Sequence, residues 1–166
     1  EWVTRLDAAA SALYRDLAEQ RETLRLRYAP DIRDTGQYLE VLLRSRESDL
    51  RMGSTGRGPH RDELQMLVED RPLDVFGSQG QQKSAALALR LAEAVLTREA
   101  SGETPALLLD EIFSDLDERR SERVLDAVPP DAQALVTTAR PLETLPRQLR
   151  DARLFQVRDG EIQPHG

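Results

Sequence analysis

Apolar positions near the start of the chain fall at helical spacing. Leu6, Ala10, Leu13, Leu17 and Leu24 recur at intervals of three, four and seven, which puts them on one stripe of a helix. Arg5, Asp16, Glu19 and Arg25 lie elsewhere on its surface, and Ala8, Ala9, Ala10 and Ala12 raise its helix propensity. Pro30 disfavours helical geometry at Ala29, so this helix is predicted to stop at Tyr28-Ala29-Pro30. A second helix is predicted from about Thr35 to Arg51, with Tyr38, Leu39, Leu42 and Leu43 on its apolar face. The glycine-rich stretch Met52–Pro59 ends it and marks the candidate boundary between a helical arm, residues 1–57, and a body, residues 58–166.

The body alternates between strand-like and helix-like patterns. Leu64–Val68 and Leu73–Phe76 read as short strands around the turn Glu69-Asp70-Arg71-Pro72. Ser78 caps a long predicted helix reaching about Ala100, with Leu87, Leu91, Ala94 and Val95 facing inward. Ala106–Leu109 is a continuous apolar run, the pattern of a strand buried on both faces. A helix over about 118–127, a strand over 132–136 and a hairpin turning at Asp159-Gly160 follow. Buried strands alternating with helices give the fold class: α/β, with a parallel-sheet core.

Composition narrows the chemistry. The chain has 166 residues, 39% hydrophobic and 32% charged, an ordinary composition that excludes disordered and collagen-like classes. It has no apolar run near 18 residues, so no membrane span is expected. The absence of cysteine excludes disulfides, thiolate metal sites and cysteine nucleophiles, and two histidines are too few for a histidine zinc site. Of 23 basic residues, 22 are Arg and the single Lys is Lys83. Net charge is −7: residues 1–58 balance ten acids against ten bases, while 59–166 hold twenty acids and thirteen bases. Taken at face value, the net charge argues against a nucleic-acid binder, and the whole deficit lies in the second stretch.

Two motifs carry chemistry. Leu107-Leu108-Leu109-Asp110-Glu111 delivers adjacent carboxylates at the C-terminal end of a predicted strand, where α/β sheets place their ligands. Asp110 suits Mg²⁺, held through water, and Glu111 suits general-base work on an attacking water; this is the Walker B pattern. The bland alternative is a strand end followed by two acids, one capping the next turn. Gly77–Ser84 reads two ways. It nearly matches the P-loop G-x-x-x-x-G-K-[ST], but Gln82 replaces the second glycine, where a Cβ obstructs the phosphate cradle. It also reads as a helix start whose first N–H groups, with Ser78 and Gly80, face an anion from outside. A simple Ser N-cap is the bland alternative. Ser114-Asp115-Leu116-Asp117 and the strand end Thr137-Thr138 complete an ordered set: signature helix, carboxylate strand, acidic loop, polar strand end.

With Tyr38-Leu39-Glu40, Arg46–Leu50, Gly53-Ser54-Thr55, Gly58–Leu64, Ser78–Lys83, Leu107–Glu111, Ser114–Asp117 and Phe155–Ile162, the chain resembles the RecF family of ABC-type DNA-maintenance ATPases over roughly residues 38–162. The Gly-Pro-His-Arg-Asp stretch together with Ser-Gln-Gly-Gln-Gln is its most specific part. The resemblance implies that residues 1–57 end a helical arm lobe and that 58–166 form the C-terminal half of an ABC-type head. It implies that Ser78, Gln79, Gly80, Gln81, Gln82 and Lys83 form the signature that binds ATP held on an opposite subunit. Asp110 becomes the Mg²⁺ carboxylate, Glu111 the catalytic base, and Ser114, Asp115 and Asp117 part of the D-loop. Thr137 and Thr138 lie on the switch strand, with Ala139 next. His60, Arg61 and Asp62 are expected to brace the loop beside the signature or to lie near DNA.

The same resemblance implies ATP-dependent homodimerisation, binding to single-stranded DNA and to gaps or single-strand/double-strand junctions, and RecA loading with RecO and RecR. It places such a protein in the bacterial cytoplasm, associated with the nucleoid and the SOS response. The family's P-loop has no counterpart in this sequence, so a C-terminal half is expected, one that does not bind ATP tightly by itself and whose DNA-facing lobe lies outside it. Three other readings stay open: a non-catalytic module for DNA or partner contact, a self-sufficient P-loop kinase using Gly77–Ser84, and an SMC- or Rad50-like clamp.

Overall fold

The computed structural model describes residues 1–113, 116–149 and 151–164. Helix α1 spans Trp2–Leu17 and buries Leu6, Ala10, Tyr14 and Leu17 along one face. It ends earlier than its apolar spacing predicts. Glu19 and Gln20 adopt left-handed backbone angles, φ 56° and 59°, and reverse the chain. Leu24, expected on the helix, instead begins strand β1, Leu24–Ala29. The alternation Leu24-Arg25-Leu26-Arg27 puts both leucines inside and both arginines outside, and this period of two prevails over the coincident spacing of seven.

Helix α2, Tyr38–Met52, follows a 3-10 turn at Thr35–Gln37 and ends on Gly53 in the left-handed conformation. None of its residues is buried; Leu39, Leu43 and Leu50 are all exposed. Strand β2, Glu63–Val68, pairs antiparallel with β1 along its whole length, from Leu24 opposite Val68 to Ala29 opposite Glu63. The two-residue β3, Arg71–Pro72, adds to the other edge of β2. This sheet therefore joins residues on both sides of the expected 57/58 boundary, and α1 packs with the body rather than with α2. Asp7 of α1 accepts the Leu26 N–H at 2.6 Å, satisfying a donor on the sheet's outer strand.

Leu73–Phe76, expected as a strand, forms the short helix α3. Helix α4, Gln79–Ser101, ends on Gly102 at φ 75°. It is the central element. Its Ala85, Ala88, Ala92 and Leu96 pack with Leu6, Ala10, Tyr14 and Leu17 of α1 and with Leu24, Leu26 and Val68 of the antiparallel sheet. Its other face, Leu91 and Ala94, packs on Leu107 and Leu109 of strand β4, Leu107–Leu109. The alanine stripe lets α1 approach closely, as small residues at a helix contact allow.

After helix α5, Glu118–Asp126, strand β5, Ala134–Val136, pairs parallel with β4. The expectation that β4 is buried on both faces does not hold: Leu108 is 76% exposed and Leu135 51%, because α4 covers only the face bearing Leu107 and Leu109. Strands β6, Phe155–Arg158, and β7, Glu161–Pro164, form the expected hairpin, with Asp159 and Gly160 at φ 50° and 82°, the geometry of a type I′ turn.

Candidate functional site

The two adjacent carboxylates follow directly on strand β4. Leu107 and Leu109 anchor β4 in the core, and Leu109 lies opposite Val136 in the parallel pair. The Thr137 N–H donates to the Leu109 carbonyl at 3.0 Å, carrying the pairing one residue further. Asp110, Glu111 and Thr137 thus leave the sheet together at its C-terminal edge. The Thr137 hydroxyl donates to Asp110 Oδ1, and its oxygen accepts the Glu111 N–H at 3.1 Å. Glu111 has a left-handed backbone, φ 47°, a conformation that costs an ordinary residue about 1–2 kcal/mol. The tie to Thr137 holds it there. Both carboxylates are exposed.

The start of α4 is a reciprocal capping box. Ser78 Oγ accepts the Gln81 N–H at 3.2 Å, and Gln81 Oε1 accepts the Ser78 N–H at 2.8 Å. The Gln79 and Gly80 N–H groups have no acceptor within the helix, and they lie at its positive end. Gln82 is exposed but folds back on the preceding turn: its Nε2 donates to the carbonyls of Gly77, at 3.1 Å, and Leu73, at 3.3 Å, tying α3 to α4. Gln79 and Lys83 are exposed. Because residues 79–84 are already helical, they do not form the open phosphate-wrapping loop that a P-loop needs, and the self-sufficient kinase reading is set aside.

Helix α5 meets this turn. Asp117 caps α5, accepting the Arg120 N–H at 2.8 Å, and its carboxylate lies 3.7 Å from Arg120 Nε. Arg120 Nη1 packs so close to Gly80 that a Cβ there stands 3.1 Å from it. Gly80 and Asp117 therefore share one guanidinium, a relation that sequence spacing does not reveal. Ser114 and Asp115 lie outside the described residues.

The Gly-Pro-His-Arg-Asp stretch serves another place. His60 Nε2 hydrogen-bonds the Thr55 carbonyl at 2.8 Å, bracing the glycine-rich loop before it. Asp62 accepts from the Asp31 N–H at 2.8 Å and from the Tyr28 hydroxyl. Its proximity raises the Tyr28 pKa above the ordinary phenol value. Asp31 accepts from Arg57 Nε and the Gly58 N–H, both at 2.9 Å, and these bonds lower its pKa below the usual carboxylate range. Arg61 is exposed. The stretch fastens the end of β1 to the loop 53–58.

Sequence reasoning missed Arg140. Its Nη2 donates to the carbonyls of Phe113 and, at 2.6 Å, Leu116, and its guanidinium stands 5.8 Å from the centroid of the Phe113 ring. The only hint in the sequence was its place, three residues after Thr137.

Capped helix, carboxylate strand and hydroxyl-bearing parallel strand follow one another as in the α/β head of an ABC-type ATPase. Solved structures agree: an SMC head bound to the C-winged helix domain of ScpA overlays with a TM-score of 0.61 at 16% identity, over 98% of this chain and 42% of that one, a likeness of fold. The structure of the recombination mediator protein RecF with ATPrS, in the RecFOR pathway, overlays with a TM-score of 0.74 at 25% identity, over 99% of this chain and 45% of that one. No family model matches the chain. It is 40% identical over 172 residues to the DNA replication and repair protein RecF of Trichlorobacter lovleyi, spanning 99% of this chain and 47% of that protein. The RecF of an Exiguobacterium species is 33% identical over 171 residues, spanning 98% of this chain and 46% of that protein. Sequence and fold together match this chain to the C-terminal portion of RecF. It spans under half the length of these relatives.

Proposed function

We propose that this chain supplies the C-terminal half of a RecF-like DNA-repair ATPase, the half that carries the signature and the catalytic acids. The observation that carries the reading is the three-residue unit Asp110, Glu111 and Thr137 at the C-terminal edge of a parallel strand pair. In this reading Ser78 and the Gln79 and Gly80 N–H groups face the γ-phosphate of ATP held on the P-loop of an opposing subunit. Gln81 sets the turn through the capping box, and Gln82 holds it against α3. Glu111 takes the proton of the attacking water as general base. Asp117, with Ser114 and Asp115, belongs to the loop that crosses the dimer interface.

Asp110 is the carboxylate for Mg²⁺. One exposed carboxylate beside a hydroxyl fits an ion that keeps several waters and takes its other ligands from phosphates. When bound, the ion neutralises charge on the β- and γ-phosphates. Thr137 holds Asp110 and the Glu111 backbone in place. Thr138 accepts the Arg140 N–H at 3.1 Å, so the hydroxyl that reaches the acids on this strand is Thr137's.

The whole protein, in the same proposal, dimerises on ATP and binds gapped or single-strand/double-strand junction DNA. With RecO and RecR it promotes RecA loading at the bacterial nucleoid during the SOS response. The net charge of −7 fits this only if the DNA-facing surface is built largely by the other half. No helix among the described residues is long and apolar enough to cross a membrane.

The test pairs this chain with a P-loop-bearing N-terminal half, mixed or in one polypeptide. ATP hydrolysis is expected from the pair and not from this chain by itself. Glu111→Gln is expected to abolish turnover while trapping an ATP-bound dimer in size-exclusion chromatography. Unchanged turnover in Glu111→Gln overturns the catalytic assignment.

A further inference from the structure

Arg140 occupies an unusual position for an arginine on a polar strand end. Phe113 is fully buried and Leu116 is 5% exposed, so the two carbonyls that Arg140 grips belong to residues anchored in the core. The Leu116 N–H also donates to the Phe113 carbonyl at 3.3 Å. One guanidinium nitrogen therefore holds both ends of the connection between the Asp110–Glu111 pair and Asp117, the cap of α5. The face of Phe113 covers the cation from the side. At the other end the Arg140 N–H donates to Thr138 Oγ1 at 3.1 Å, which fixes its backbone to the strand that carries Thr137.

The strand end after β5 thus reaches the carboxylate segment twice: through Thr137 to Asp110 and Glu111, and through Arg140 to Phe113 and Leu116. Charge-assisted bonds from a guanidinium to carbonyls are stronger than neutral ones and fix direction. We propose that Arg140 is a positioning residue that ties Phe113 and Leu116 to the catalytic strand pair, so that Asp117, next to Leu116, and Glu111, two residues before Phe113, are held in one frame. This rests on the ATPase reading above, but the contact itself is measurable without nucleotide.

Arg140→Met keeps the bulk of the side chain and removes its donors. In this chain, amide hydrogen exchange in the peptide covering 112–118 is expected to accelerate about tenfold or more, with α1 and α4 unchanged. Wild-type exchange in that peptide, or equal acceleration throughout α4, overturns the proposal. Should Arg140→Met not fold, Arg140→Leu is read in the same way: acceleration confined to 112–118 supports the tie, and wild-type exchange overturns it. In the pair with the P-loop half, Arg140→Met is expected to lower kcat about tenfold while KM for ATP stays within about threefold, because Arg140 orients the site without touching nucleotide. A rise in KM with kcat unchanged overturns the positioning role. If the wild-type pair hydrolyses no ATP, the ATPase reading falls, and the exchange measurement still decides the contact.

Discussion

The Glu111 N–H is bound to Thr137 Oγ1 at 3.1 Å, across the end of the parallel strand pair. The same hydroxyl donates to Asp110, so one threonine fixes the backbone of one acid and the carboxylate of the other. Thr137→Val removes the hydroxyl at nearly constant shape. It is expected to cost about 1 kcal/mol of stability, read by urea denaturation, because it removes two ordinary hydrogen bonds at an exposed edge. In the pair with a P-loop half it is expected to reduce turnover well beyond that, whereas Thr137→Ser is expected to retain most activity.

The capping box sets the start of α4, and so the direction of the N–H groups of its first turn. Ser78→Ala is expected to destabilise the chain by about 1 kcal/mol. For a domain of this size that lowers Tm by roughly 2–4 °C. Ser78→Gly is expected to cost only a few tenths of a kcal/mol. Calorimetry of the two variants separates the loss of a cap from a general loosening.

Gly77 is required by contact rather than by backbone angle. A Cβ there falls 2.5 Å from both the carbonyl oxygen and Cδ1 of Leu73, and the backbone atom is not free to retreat. Gly77→Ala is expected to cost about 1–3 kcal/mol through forced displacement of α3. Gly102 is the converse case: nothing lies within 4 Å of its added Cβ, but φ is +75°. Gly102→Ala is expected to cost about 1 kcal/mol from strain. Thermal melts of both variants, read beside the signal from α4, distinguish the two causes.

Buried Tyr14 donates to Glu22 Oε2 at 2.7 Å. Burial first, and then this bond, raise its pKa above the ordinary value of 10.0. In the unfolded chain the phenol ionises near its usual value, while in the folded chain it stays protonated. Its contribution is therefore complete below about pH 10 and is lost as pH rises toward the folded pKa. Tyr14→Phe is expected to flatten the alkaline limb of stability against pH, at a cost near neutrality of about 1 kcal/mol. An alkaline limb as steep as wild type contradicts this.

Three carboxylates have the opposite sign. Asp31 is lowered by Arg57 and Gly58, Glu69 by the Thr23 backbone and side chain, and Asp131 by the Thr104 hydroxyl. Each contributes stability that is present above the unfolded carboxylate pKa, about 4, and is lost as pH falls through its lowered folded value. Asp31→Asn is expected to make acid unfolding shallower, and urea titrations between about pH 5 and pH 2 measure it.

The long elements were readable because their patterns repeat many times. Helix α4 was legible from its Ser78 cap to its end, and the terminal hairpin from Asp159-Gly160. The acid pair was legible because an apolar run followed by Asp-Glu is a strong local signal. Leu24, seven residues after Leu17, satisfies a helical stripe in sequence, and only the left-handed pair Glu19-Gln20 shows that the chain has already turned. Leu73–Phe76 has a strand-like pattern yet forms a helix, because four residues are too few to separate the two periods. Leu108 looked buried because an apolar run does not say how many layers cover it.

The sequence by itself determined the α/β class, the capped helix, the adjacent carboxylates at a strand end, and the exclusion of an intact P-loop within these residues, since the single lysine follows Gln82. These depend on residue type and short spacing, which are local. The tertiary structure decided which groups act together. It brought Thr137 to Asp110 and Glu111, Arg120 to Gly80, and Arg140 to Phe113 and Leu116, across about 20 to 40 positions of chain. Such pairings follow from strand register and from the packing of α5 and α4, which no local pattern encodes.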